Sequence, residues 1–217
     1  MYLSRITLLL SERTALNIAA DRYVAHQFVA AAFQDRLAAR PLYRVALTSD
    51  RPQLLIQSRL QPDWARAIGP LHFQAVCDVK EIPKPKLAAG QLLRFLLVAN
   101  AVRTIRPEAA VGAQKRGRAV RVPLIREEHL LEWLRKQGER GGFRLRSVRV
   151  VPERERVEMR ALRGRAPIVL CGAEFQGVVE VTKPDAFWST VENGIGHGKG
   201  FGFGLLSVAP IGRGDRT

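Results

Sequence analysis

Acid is what this chain is short of. Its 217 residues hold 20 Asp plus Glu against 35 Lys plus Arg, a formal net charge of +15. A small folded protein with that excess repels itself unless a polyanion neutralises it, so nucleic acid is the first partner to consider. Cysteine is nearly absent too. Cys77 and Cys171 are the whole supply, and their separation gives neither a disulfide framework nor the clustered Cys/His spacing of a zinc site. That usage suits a reducing compartment. Long apolar runs are missing: the run at 6–10 is interrupted by Thr7 and closed by Ser11, Glu12 and Arg13, too short for a signal-peptide core. No stretch reaches the ~20 apolar residues that a helix needs to cross a bilayer. The expectation is a cytoplasmic protein with no membrane partner. What the chain does have is core material, 47% hydrophobic residues, which excludes a disordered basic tail.

The order of elements suggests two similar halves. Residues 1–10 are rich in strand formers. Over 21–40, Val24, Phe28, Ala31 and Ala32 recur at helical spacing, with Asp21 placed to cap and Pro41 to stop, which predicts one helix. Strands are expected at 43–48 and 53–60 around a turn at 49–52, a short helix at 63–65 and a strand at 71–79. This is the βαββαβ order of ferredoxin-like folds. Two prolines and a glycine within 82–90 mark a linker. Beyond it come a strand at 91–99, a helix at 127–137 ended by Gly138, strands at 143–151, 156–162, 168–170, 177–181 and 205–208, and a helix at 184–192. The expected fold class is α+β, two tandem ferredoxin-like domains at 1–82 and 91–210 joined by the Pro-containing linker 83–90, with a disordered tail at 211–217. Residues 1–82 hold ten basic and seven acidic side chains; the remaining 25 and 13 give the second part a net +12.

Three segments could carry chemistry. The stretch 109–126 holds five cations and no acid, including Lys115, Arg116, Arg118 and Arg121. It is either an arm or hairpin tracking phosphates, for which Arg offers planar bidentate donors, or a solvated loop. Arg144 and Arg146 on the next strand could extend such a surface. In 194–204 glycine takes every second position, with Gly196, His197, Gly198 and Lys199 at its centre. Such a loop can lie directly against an RNA backbone, or it can be a tightly packed turn with Phe201 and Phe203 as core. No Ser or Thr follows Lys199, as a nucleotide-binding P-loop requires, which argues against a mononucleotide site. Tyr23 and His26 are three apart at a helix start, where free N–H groups favour phosphate. A histidine there can move protons at neutral pH, although the spacing alone favours a structural pair. No HExxH motif or clustered carboxylate set offers ligands for two-metal phosphodiester chemistry. No cofactor is expected.

Together these segments resemble a known family. The opening MYLSRI, the YxxH of Tyr23 and His26, the RVPLIRE at 121–127 and the GIGxGKxFGFGLLSVAP at 194–210 are similar to the CasE family, CRISPR precursor-RNA endoribonucleases of the type I-E Cascade complex. The resemblance implies paired ferredoxin-like (RRM-like) domains gripping a CRISPR repeat RNA hairpin, both precursor and mature guide, beside other Cascade subunits. It implies metal-free cleavage at the 3′ base of the stem-loop, with His26 as general acid or base and Tyr23 positioning. The basic loop with Arg121, Arg144 and Arg146 would hold the duplex, and Gly196, His197, Gly198 and Lys199 would touch RNA. A non-catalytic RNA-binding subunit is the alternative. Where relatives carry a basic residue shortly after the histidine, this chain has Gln27 and Ala31.

Overall fold

A computed structural model describes residues 1–9, 13–47, 51–71, 75–105, 119–159 and 168–212. Strand β1 (Tyr2–Leu8) buries Ser4, Ile6 and Leu8 and exposes Arg5, the period-two pattern of a half-buried strand. Helices α1 (Arg13–Ala20), α2 (Arg22–Ala31) and α3 (Arg36–Ala39) follow. The single helix expected over 21–40 is therefore two helices. Asp21 caps α2 as expected, its carboxylate accepting from the N–H groups of Tyr23 at 2.7 Å and Val24 at 3.2 Å. Asp35 explains the break: its backbone is extended, and its carboxylate accepts from the Ala38 N–H at 2.9 Å, which opens α3 instead of prolonging α2. The buried face of α2 is Ala25, Phe28, Val29 and Ala30, whereas Ala31 is exposed. Helix α1 is not expected from the sequence because its buried stripe amounts to Ala15 and Ile18.

Strands β2 (Leu42–Leu47), β3 (Pro52–Ser58) and β4 (Ala75–Glu81), with α4 (Trp64–Ile68) between the last two, complete the first half. Its antiparallel sheet has the order β2-β3-β1-β4. Helices α2 and α4 meet over one face, where the rings of Phe28 and Trp64 stack at 5.8 Å above a core including Ile6, Leu8, Leu54 and Ile56. The second half runs β5 (Leu92–Ala99), a two-stranded hairpin of β6 (Val102–Ile105) and β7 (Val120–Pro123), α5 (Glu127–Gly141), β8 (Phe143–Met159), β9 (Ile168–Val181), α6 (Pro184–Asn193) and β10 (Leu206–Pro210). Its four-stranded sheet is ordered β10-β5-β9-β8, again antiparallel. Each four-stranded sheet thus reads last strand, first, third, second. The second core gathers Phe95, Leu97, Leu130, Leu134, Phe143, Phe175, Phe187 and Trp188.

Three boundaries differ from expectation. Helix α5 passes through Gly138 and stops at Gly142, which takes the left-handed conformation at φ 74°. Gly138 is a packing residue: a Cβ there would lie 2.6 Å from the Phe143 carbonyl oxygen, so glycine lets the helix rest against the start of β8. The strands expected at 168–170 and 177–181 are one, β9. Those at 143–151 and 156–162 are joined in β8 as far as Met159, with register shifts at Leu145/Ser147 and Pro152/Arg156. No helix among the described residues is long and apolar enough to cross a membrane. The halves meet through polar side-chain contacts as well as packing. Gln57 on β3 donates to the carbonyls of Val191 at 2.9 Å and Glu192 at 3.3 Å on α6, and Arg59 donates to Asn193 Oδ1 at 2.9 Å.

Candidate active site

The capped start of α2 sets Tyr23 and His26 on one surface, and both line a single concavity with Gln27, Gln34, Arg36 and Arg66. His26 also lines a second concavity, whose wall includes Arg36, Arg40, Tyr43, Lys199 and Gly200. The glycine-rich segment reaches this place from the far half of the chain, and its own backbone sets the route. Gly194 and Gly204 adopt φ of 68° and 86° and face one another: a Cβ on either would lie 2.5–2.6 Å from a carbonyl oxygen of the other strand of the loop. The Ile195 N–H donates to the Gly204 carbonyl at 2.9 Å, and the Gly204 N–H to the Val98 carbonyl at 2.7 Å. With Ile195 and Phe203 buried beneath, the loop throws its 3₁₀ turn, Lys199–Phe201, against α2. The close-packed reading of the glycines therefore holds for 194, 196, 198, 202 and 204, while Lys199 and Gly200 line the concavity beside His26.

This seam is held by named contacts. The Arg22 guanidinium stands 4.3 Å above the Phe203 ring centroid and donates from Nη1 to the Phe201 carbonyl at 3.2 Å. The Phe201 ring lies 5.4 Å from the His26 ring at an angle of 51°. The Tyr43 hydroxyl sits 3.0 Å from the Arg22 carbonyl and 3.2 Å from the Gly200 carbonyl, bridging α2 to the loop with its single proton. Burial, opposed in part by Arg22, pushes the Tyr43 phenol well above its ordinary range, so it acts as a donor and not as a base. Tyr43→Phe removes that bridge and leaves both carbonyls short of a donor. The expected cost is about 1 kcal/mol of stability, read as a lower melting temperature; an unchanged melt would show that the bridge holds nothing.

The electrostatics of the second concavity run one way. Arg36, Arg40 and Lys199 line it, and no carboxylate does among the described residues. Burial first, and then the nearby Arg40, hold the Lys199 ammonium below its usual range. Arg40 is the one non-glycine residue with left-handed backbone among those described, at φ 44°. Backbone in that region is costly for a side chain and persists where the surroundings impose it. The arrangement suits an anion beside an imidazole: cations to hold a phosphate diester and a group able to move a proton.

The other sequence-identified residues lie elsewhere. His197 forms an isolated bridge with Asn100 and lines a separate concavity with Arg103, His129, Trp133 and Arg140. Partial burial, then Arg121 and Lys199, hold its imidazole below the ordinary histidine value. Gly196 packs on the Trp133 indole, where a Cβ would lie 3.1 Å away, and Gly198 sits equally close to the Phe203 ring. Arg121 is exposed on β7 and Arg144 on β8, while Arg146 is ion-paired with Glu180. Lys115, Arg116 and Arg118 lie outside the described residues. The sequence reading does not reach Arg22, Arg36, Arg40, Tyr43 or Arg66. Only the spacing of Arg36 and Arg40, one turn apart, offered a signal. No group of three or more His, Cys, Asp or Glu side chains lies together among the described residues.

Comparison with known proteins decides the family. A family profile described as CRISPR associated protein matches residues 1–210. The chain is 30% identical to the CRISPR-associated endoribonuclease Cse3 of Thermus thermophilus, over 97% of this chain and 100% of that one. This protein belongs to the Cse3/CasE family. It is also 32% identical over 128 residues to the Cascade subunit CasE of Escherichia coli, covering 58% of this chain and 62% of that one. A structure of Cse3 bound to a 19-nucleotide RNA superposes with a TM-score of 0.79 at 29% identity, over 97% and 100% of the two chains. The Cse3/CasE likeness spans both four-stranded sheets. Its C-terminal segment, 194–210, includes the loop that closes on His26.

Proposed function

We propose that this Cse3/CasE-family protein is a metal-independent endoribonuclease that cleaves CRISPR precursor RNA at the 3′ base of the repeat stem-loop. It keeps the mature guide RNA and works in the cytoplasm with other Cascade subunits. The observation that carries this reading is the convergence of Tyr23 and His26 with Arg36, Arg40 and Lys199 on walls free of carboxylates. The 2′-hydroxyl next to the scissile phosphate attacks phosphorus in line as the bond to the 5′-oxygen breaks, leaving a 2′,3′-cyclic phosphate and a 5′-hydroxyl. His26 serves this exchange by taking the 2′-hydroxyl proton or by giving one to the departing 5′-oxygen. Tyr23 orients or polarises the reacting groups through its hydroxyl, which can donate a hydrogen bond to developing negative charge. The order last, first, third, second in each sheet supports two ferredoxin-like domains, 1–82 and 91–210, with 83–90 as the linker.

The grip on the hairpin is assigned to the cations of the second half. Lys115, Arg116, Arg118, Arg121, Arg144 and Arg146 hold the A-form stem by phosphate and shape, and Gly196, His197, Gly198 and Lys199 lie along the strand entering the site. Changing Lys115, Arg116 and Arg118 together to Ala should weaken binding of repeat RNA and lower the slope of log K against log salt by roughly 2. An unchanged slope would remove this loop from the phosphate contacts. The reaction is tested with repeat RNA in EDTA, where products bearing a cyclic phosphate are expected. Binding without any cleavage would favour the purely structural subunit.

A further inference from the structure

The two concavities that flank His26 share three residues: His26 itself, Ala30 and Arg36. Arg36 is thus the only cation common to both. Arg66 belongs to the Tyr23 side alone, and Arg40 and Lys199 to the glycine-loop side alone. We propose that Arg36 is a catalytic residue, whose guanidinium contacts the non-bridging oxygens of the scissile phosphate and stabilises the charge they gain as phosphorus becomes five-coordinate. This rests on the reading of His26 given above.

The local sequence explains how Arg36 reaches that position. The residue one helical turn after His26 is Ala30, and Ala31 follows; both line the Tyr23-side concavity with His26 and Arg36, and neither position carries a long side chain. Asp35 Oδ1 accepts the Ala38 N–H, and the Asp35 carboxylate forms no ion pair with Arg36. Arg36 is exposed, has no ion pair among the described residues, and no acid lines either concavity there. It is fixed at its backbone: the Arg40 N–H donates to the Arg36 carbonyl at 3.0 Å, closing the short turn on which it stands. Whichever side of His26 the phosphate approaches from, the planar fork of Arg36 can offer it two N–H donors. Charge that appears only in the transition state is where such a group contributes most to rate.

The test uses the full chain and repeat RNA under single-turnover conditions with enzyme saturating. Arg36→Ala should lower the cleavage rate constant by about 100-fold or more while the dissociation constant changes little, the pattern of an interaction made in the transition state. Arg36→Lys should recover part of the loss, because charge returns without the fork. Free guanidinium ion below denaturing concentration should partly rescue Arg36→Ala and leave Arg36→Lys unmoved, a response that a merely structural role would not give. The proposal is overturned if Arg36→Ala cleaves at the wild-type rate when saturated, or if its whole loss lies in binding. His26→Ala run alongside separates the two claims. If His26→Ala still cleaves, the reading of the site fails; if His26→Ala is inert and Arg36→Ala is unimpaired, only Arg36 is misassigned.

Discussion

His26→Ala should bind repeat RNA almost as tightly as the wild-type protein and cleave it about a thousand times more slowly, the loss typical of removing a positioned general acid or base. The expectation of normal binding follows from where the residue sits. The α2 cap uses Asp21 and the N–H groups of Tyr23 and Val24, none of which the substitution touches. The loop is tied to α2 by Arg22 and Tyr43, also untouched. What vanishes is the imidazole and its contact with the Phe201 ring. The measurement is a single-turnover rate in EDTA beside a binding isotherm at fixed salt. A variant that cuts as fast as wild type would falsify the catalytic assignment, and one that fails to bind would show that His26 serves recognition. Tyr23→Phe is the graded comparison: a positioning hydroxyl should cost less than the proton-transfer group.

Periodicity and turn chemistry made much of the fold readable before any coordinates. The strand formers of β1, the apolar run of β5, the Asp21 cap and the apolar stripe of α5 are local signals, and local signals are what a single sequence displays. The failures were also local competitions. Asp35 looks like an ordinary polar residue in a helix until its carboxylate is seen capping Ala38. Gly138 looks like a stop until its closeness to the Phe143 carbonyl shows that packing requires it. Tyr23 and His26 could be singled out as neighbours because they lie in one helix turn, although only the family resemblance attached a reaction to them. Arg36, Arg40, Tyr43 and Lys199 were not readable as one site, because they come together only when a loop more than 150 residues downstream docks on α2 and β2. Charge counting points the same way. The excess of +12 lies in residues 83–217, where the RNA grip is proposed, yet the cations lining the concavities beside His26 include Arg36, Arg40 and Arg66 from the nearly balanced first half. Net charge finds a partner but not a reaction.

That docking makes Phe203 the residue whose loss should be felt furthest from itself. Its side chain is fully buried, clustered with Val98 and Leu170, and roofed by the Arg22 guanidinium. Truncation to alanine removes an aromatic ring from a packed space, at a cost of about 3–5 kcal/mol. For a chain of this length that corresponds to a fall in melting temperature on the order of 10 °C. The consequence for cleavage follows from the same contacts. Phe203 lies two residues from Phe201, whose carbonyl accepts from Arg22, so the cavity loosens the segment that carries Lys199 and Gly200 to His26. Phe203→Ala should therefore slow cleavage even below its own melting temperature, although no atom of Phe203 lines either concavity beside His26. Phe203→Leu, which refills most of the volume, should regain stability and rate together. If the alanine variant melts like wild type, the seam is not held by this ring. If it melts early but cleaves normally when folded, the loop reaches His26 by contacts other than those at Phe203, and Tyr43 becomes the residue that positions it.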